Sequence, residues 1–175
     1  EGCQDINLDG FCDGPYFFNH GVDYFPFVEE NGWELSYTDT FFFDNQDPEF
    51  EIILGKWKKR NHQNSYNGNA RFIQQGIGLM SVGWRVDETI IPGNYSVYVW
   101  KFKNQYQNLI ASNAKYSVVH STGTSNWIEV DQTTTRNEWI QLGNFTFDDS
   151  SRQGIVLNDN ANGYVIADAV KLVYN

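Results

Sequence analysis

Two cysteines in 175 residues are too few for a disulfide framework, so the chain depends on a packed core, and its length suffices for one. No stretch carries a convincing helical period. No apolar run approaches the roughly 18 residues that a membrane-crossing helix requires, so no membrane span is expected. Basic residues are scarce: 12 Lys and Arg stand against 22 Asp and Glu, for a formal charge of −10. That balance argues against nucleic-acid partners, because phosphate binding needs a basic surface. The histidines, His20, His62 and His120, lie in no nucleophile–base pattern, and no His/Cys cluster completes a tetrahedral zinc site. The chain opens on Glu1 with its only methionine at Met80, which reads as a mature form after leader removal or as an expressed piece.

Aromatic residues are abundant instead, at 17%. Tyr and Trp suit β-sheets and also stack on sugar rings, although a given aromatic more often fills a core. Short runs rich in Val, Ile, Tyr, Phe and Thr alternate with Gly, Asn, Pro and Asp clusters. Strands are expected at Glu51–Leu54, Gly78–Val86, Asn94–Phe102, Ala114–His120, Asn126–Asp131, Glu138–Phe147, Gly154–Asn158 and Tyr164–Tyr174. Turns fall at Pro92–Gly93, Thr122–Thr124, Asp148–Ser151 and Asn158–Gly163. This spacing predicts an all-β fold, an antiparallel β-sandwich of jelly-roll type over 39–175, with an N-terminal extension over 1–38. In the strand at 94–102, one side carries Tyr95, Val97, Val99 and Lys101, and the other Ser96, Tyr98, Trp100 and Phe102. Neither side is polar throughout, as in a strand with one face in the core and the other covered or used for binding.

The extension has its own chemistry. CQDINLDGFCDG, residues 3–14, places Asp5, Asn7 and Asp9 at alternate positions before a glycine, with the Phe11 carbonyl and Asp13 at further calcium-ligand offsets. The bidentate Glu of a complete EF-hand loop is absent, and Tyr16 stands in its place. The loop looks like one calcium-binding unit of a thrombospondin type 3 repeat; a polar turn closed by Cys3–Cys12 is the other reading. A disulfide there implies an oxidising compartment. The following PYFFNHGVDYFPF is too apolar for a flexible linker and too short to fold alone, so it must dock. Its apolar alternation suits a strand added to a sheet edge, of its own sandwich or of a neighbouring copy.

From about Thr40 the segments TFFFDNQDPEFEIILGKW, NSYNGNARF, PGNYSVYVW, NAKYSVVHSTGTSNWIEVDQ, EWIQLGNFTF and GYVIADAVKLV occur in an order that resembles the golvesin/xanthan-lyase C-terminal domain family. The resemblance implies a β-sandwich similar to carbohydrate-binding modules, appended to secreted polysaccharide lyases and other surface proteins. It implies binding or scaffolding, with no catalytic role. It does not reach residues 1–38, and KWKKR at 56–60 is more basic than the family pattern.

Candidate glycan contacts follow. Trp57, Lys58, Arg60 and Tyr66 sit in the most basic stretch, where cations and aromatic planes could hold a carboxylated or sulfated polysaccharide; a solvated loop is the plainer reading. Among the tryptophans inside strands, most are expected in the core, with Trp100 and Trp127 facing a groove. Asn94 and Asn144 begin N-x-S/T sequons and could carry glycans. Asp168, a carboxylate inside an apolar strand, needs a buried partner, either a backbone donor or Arg71. Tyr116, His120 and Lys115 could be drafted as a lyase base with cationic support, but nothing in their spacing selects them.

The sequence therefore predicts a non-catalytic extracellular carbohydrate-binding or adhesion module, with calcium bracing the N-terminal loop. The alternative is a homopolymer whose protomers exchange the N-terminal strand, and a more distant one is an accessory domain of a polysaccharide lyase. Deleting residues 1–38 should convert such a polymer to monomers in sedimentation; unchanged mass excludes strand exchange.

Overall fold

The computed structural model describes residues 16–18, 21–23, 40–86, 90–149 and 152–175. The chain divides into two units, Glu1–Thr38 and Asp39–Asn175. In the first, β1 (Tyr16–Phe18) and β2 (Gly21–Asp23) pair antiparallel, with Phe17 opposite Val22. The expected calcium loop and the Cys3–Cys12 pair lie outside the described residues.

The second unit is built almost entirely of strands. In chain order these are β3 (Thr40–Asp44), β4 (Phe50–Leu54), β5 (Lys58–Asn61), β6 (Asn69–Ile73), β7 (Ser81–Arg85) and β8 (Gly93–Lys101). They continue as β9 (Ala114–His120), β10 (Gly123–Thr124), β11 (Ile128–Val130), β12 (Glu138–Phe147), β13 (Gly154–Asn158), β14 (Val165–Ala167) and β15 (Ala169–Tyr174). Strands β10-β9-β13-β7-β4, with β11 also on β9, form a six-stranded sheet; β12-β8-β15-β3 form a four-stranded sheet; β14-β6-β5 form a small third one. Every named pairing is antiparallel.

A single core joins the two larger sheets. Val82 and Trp84 of β7, Tyr116 and Val118 of β9, and Ile155 and Leu157 of β13 belong to the same buried cluster as Val97, Val99, Val170 and Leu172 of the four-stranded sheet. That is the sandwich arrangement, two apolar faces closed on each other. The alternation in β8 resolves as Tyr95, Val97 and Val99 inward, with Ser96, Tyr98 and Trp100 half-buried on the other side. A second, smaller core gathers Ala70, Phe102, Ile110 and Ile166, with Phe72 and Trp100 against it.

Four strands of this unit fall outside the expected set, one of them the two-residue β10 within the expected turn Thr122–Thr124. β3 reads TFFFD, and its run of three Phe hides the period of two: Phe43 is buried while Phe42 is exposed. β5 is the polar KKRN, expected as a solvated loop. It pairs on β6, with Lys59 opposite Arg71, and forms the outer strand of its sheet. Charged side chains are well tolerated at such an edge. β6 carries Asn69 and Arg71 among apolar residues, which masks it.

The expected single strand 164–174 is instead two. β14 pairs with β6, and β15 pairs with β3 and β8, so the chain changes sheets at Asp168. The Asp168 carboxylate, almost fully buried, accepts the backbone N–H of Tyr66 at 3.1 Å through Oδ2. The partner is thus a backbone donor; among the described residues Arg71 forms no ion pair, and its guanidinium lies 5.9 Å from the centre of the Phe50 ring. Burial pushes the Asp168 carboxyl up to about 9, against the pull of the Tyr66 N–H and with an added push from Asp44.

One glycine is required by the packing. Gly154 has φ +158°, and a Cβ there would stand 2.2 Å from the Trp84 carbonyl oxygen and 3.1 Å from the Arg85 Cα. Both are backbone atoms of β7, to which β13 is hydrogen-bonded, so neither can yield cheaply. Gly154→Ala should lower stability by about 2–3 kcal/mol, seen as an earlier midpoint in urea denaturation; an unchanged midpoint contradicts this packing.

Candidate functional site

The outward face of the four-stranded sheet carries large side chains where a solvated sheet would carry polar ones. Register places Gln141 opposite Tyr98, Tyr98 opposite Lys171 and Lys171 opposite Phe42, one row across all four strands. In the neighbouring row Trp139 lies opposite Trp100. Residues two apart on a strand share a face, so both rows look outward together.

These rings form a continuous patch. Trp139 and Trp100 approach to 5.1 Å between centroids, and Phe42 lies 5.8 Å from Trp139. Tyr66 stacks on Phe42 at 5.8 Å with planes 12° apart, and meets Trp139 edge-on at 5.5 Å. Tyr66 comes from the short 3-10 turn Tyr66–Gly68, held at its first N–H by Asp168. The Trp100 indole N–H donates to the Asn64 carbonyl at 3.2 Å, which fixes its ring. Phe42 is 46% exposed, and the other residues of the patch are half-buried.

A cation sits among them. Lys171 Nζ lies 4.4 Å from the Tyr98 centroid and 5.0 Å from that of Trp139. Its ion pairs do not appear among the described residues, where Lys101–Glu138, Lys115–Glu129 and Arg136–Glu138 account for the acid–base contacts. Burial pulls the Lys171 ammonium below its ordinary value. Burial pushes the Tyr66 phenol up, and the charges of Asp44 and Asp47 add to that.

The residues singled out in the sequence divide between this face and elsewhere. Tyr66 and Trp100 belong to it. Trp57 does not: it is buried in the main core, with its indole N–H on the Leu54 carbonyl at 3.3 Å, so no face is open for stacking. Lys58 and Arg60 are exposed on β5, and neighbouring Lys59 reaches Gln46 Oε1 at 3.2 Å. Trp127, 50% exposed, precedes β11 of the six-stranded sheet and is not among the rings of this patch. Asn94 and Asn144 are both exposed. Phe42, Tyr98, Trp139 and Lys171 are additions. Trp139, expected in the core, turns outward. The signal for Tyr98 was the shared side of Tyr98 and Trp100; Phe42 and Lys171 needed the pairing of β3 with β15.

The drafted lyase residues do not converge. Tyr116 is fully buried, its hydroxyl accepts the Gln132 amide at 2.9 Å, and burial raises its phenol well above the ordinary range. Lys115 pairs with Glu129 at 3.9 Å, and His120 packs on the Phe145 ring at 5.3 Å. A phenol so placed cannot serve as a base to a polymer in solvent. Among the described residues no three His, Cys, Asp or Glu side chains gather as a metal cluster, and no helix is long and apolar enough to cross a membrane.

Comparison with known proteins places this arrangement. The family model for the Golvesin C-terminal domain matches residues 41–174. A xanthan lyase of Paenibacillus is similar in structure, with a TM-score of 0.66 and 31% identity over 88% of this chain; the chain spans 14% of that protein. The C-terminal CBM6 of LamC, a marine laminarinase of Zobellia galactanivorans, shares the fold at a TM-score of 0.50 and 8% identity, over 77% of this chain and 98% of that one. No curated protein matches.

Trp57 and Trp127, both expected from the sequence as glycan contacts, should behave differently. Trp57→Ala should cost about 3–5 kcal/mol in chemical denaturation, and Trp127→Ala within about 0.5 kcal/mol of nothing; equal effects contradict this placement.

Proposed function

Because this chain belongs to the Golvesin C-terminal domain family, we propose that it is a non-catalytic, extracellular carbohydrate-binding module. It holds polysaccharide on the outward face of β12-β8-β15-β3. The observation that carries this reading is the patch of Phe42, Tyr66, Tyr98, Trp100 and Trp139 with Lys171 among the rings. Sugar rings present C–H faces that stack on aromatic planes, and the polar atoms at the ring edge take hydrogen bonds from Gln141 and Lys171. The sandwich kinship with a CBM6 supports the fold of such a module, and the more similar xanthan lyase supports its use beside a polysaccharide-processing enzyme.

Lys171 narrows the glycan. An ammonium with no acidic partner among the described residues, within a largely acidic protein, favours a polymer that carries carboxylates, and the exposed strand of Lys58, Lys59 and Arg60 offers more positive charge. Attachment to a larger polysaccharide lyase is a second setting for the same activity. Self-assembly through residues 1–38 draws no support from the described residues.

Affinity electrophoresis against neutral and carboxylated polysaccharides tests the proposal. Trp139→Ala should weaken binding to both by about tenfold. Lys171→Met should weaken only the carboxylated polymer, by about threefold to tenfold, and flatten its salt dependence. Binding that ignores both substitutions, in variants whose melting shows them folded, refutes this face as the site.

A further inference from the structure

Beyond the aromatic rows, the outward face of β12-β8-β15-β3 continues into a stretch that ring stacking does not use. Asn144 of β12 lies opposite Ser96 of β8, and Ser96 opposite Val173 of β15. One step further Thr146 lies opposite Asn94, and the Asn175 N–H donates to the Asn94 carbonyl at 2.9 Å. The two N-x-S/T triplets, at 94–96 and 144–146, therefore pair with each other, each asparagine opposite the hydroxyl residue of the other. Residues two apart on a strand share a face, so these side chains belong to the side that carries Tyr98 and Trp100.

They form a bonded, uncharged platform. Asn144 Oδ1 accepts the Gln141 amide at 3.0 Å and lies 2.9 Å from the Ser96 hydroxyl, which is also 2.8 Å from Asn175 Oδ1. A hydroxyl has one proton to give, so Gln141 serves Asn144 and Ser96 serves Asn175. These bonds hold the amides in place before any ligand arrives. Among the described residues the Nδ2 groups of Asn144 and Asn175 and the Oε1 of Gln141 make no hydrogen bond, and all three residues are exposed. Lys and Glu, the usual occupants of a face that needs only solvation, are missing from both rows.

We infer that this platform is the hydroxyl-reading half of the polysaccharide site, with Ser96, Gln141, Asn144 and Asn175 as its contacts, so that the glycan runs along β8 and β12 and occupies more than two sugars. The inference rests on the glycan reading of the aromatic rows and adds direction and length to it. Amides donate and accept side by side, which matches the neighbouring hydroxyls of a sugar ring. Aromatic rings hold the C–H face of many sugars alike. A sugar with the wrong hydroxyl pattern leaves the amides unpaired, so discrimination falls to this half. Four residues separate Trp100 from Ser96, about 13 Å of extended strand, which is longer than a disaccharide. The two triplets thereby gain a different meaning: Asn144 reads a glycan, and one attached there would cover the platform.

The test probes an array of neutral and carboxylated oligosaccharides, from disaccharides upward, with the full chain, and titrates the bound series by calorimetry. Affinity should rise about tenfold from the disaccharide to the tetrasaccharide. Asn144→Asp keeps the oxygen that Gln141 and Ser96 bond and removes only the N–H donors. On a neutral tetrasaccharide it should lose about threefold to tenfold, and on the disaccharide nothing. Gln141→Ala, which changes no charge, should show the same pattern on carboxylated ligands as well. Trp139→Ala should weaken every length. Loss with Trp139→Ala but indifference to Asn144→Asp and Gln141→Ala, or equal affinity for the two lengths, overturns the platform and leaves the aromatic site standing. Indifference to all three substitutions, or no bound oligosaccharide at all, overturns both.

Discussion

A buried carboxylate at a strand junction organises this sandwich. Asp168 interrupts what would be one continuous apolar strand, Val165 to Tyr174, and divides it between two sheets. Its bond to the Tyr66 N–H crosses about a hundred residues of sequence and sets the turn that carries the Tyr66 ring. A charge-bearing group almost wholly removed from water is retained only where its partners are arranged around it. The cost of burying Asp168 and the order of the surrounding turn are therefore one problem, with one geometric solution.

From that junction the two sides of the four-stranded sheet diverge in chemistry. Inward, Val97, Val99, Val170 and Leu172 close against the six-stranded sheet with essentially no exposure. Outward, the same strands present Tyr98, Trp100, Trp139 and Lys171. Because the period of a strand is two, the core and the candidate binding face are written in the same few segments, and neither can slip in register without the other. The bulge between Gln141 and Gly143 accommodates this: Leu142 drops into the core while Gln141 stays with the outward row.

Rigid strands suit a surface that binds and releases a polymer without transforming it. The rings already touch one another, so little side-chain freedom remains to be lost on binding. The indole N–H of Trp100 is tied to Asn64, and the Lys171 ammonium lies over the Tyr98 and Trp139 rings. Tyr116, the residue with the most suggestive chemistry in the sequence, is spent on a structural bond: Gln132 joins its hydroxyl to the backbone of Ile166.

Alternation along Ala114–His120, Glu138–Phe147 and Gly154–Asn158 was enough to locate those strands to the residue, because their apolar sides face one core and their turns are marked by Gly, Asn and Asp. The all-β class and the shared side of Tyr98 and Trp100 were legible for the same reason, although Phe102, placed on that side with them, is buried in the smaller core. β3 and β5 were not. Three successive Phe erase a period of two, and four polar residues at a sheet edge owe their strand to backbone pairing, which side chains do not advertise. Trp57 beside Lys58 looked like a cationic aromatic site, yet burial sent the ring inward and left the charges outside. The composition and local pattern of the chain thus determined its sheets and its acidic, aromatic character. Which rings share a surface was decided only by folding, since Phe42, Tyr66, Trp139 and Lys171 meet through long-range strand pairing that no local window contains.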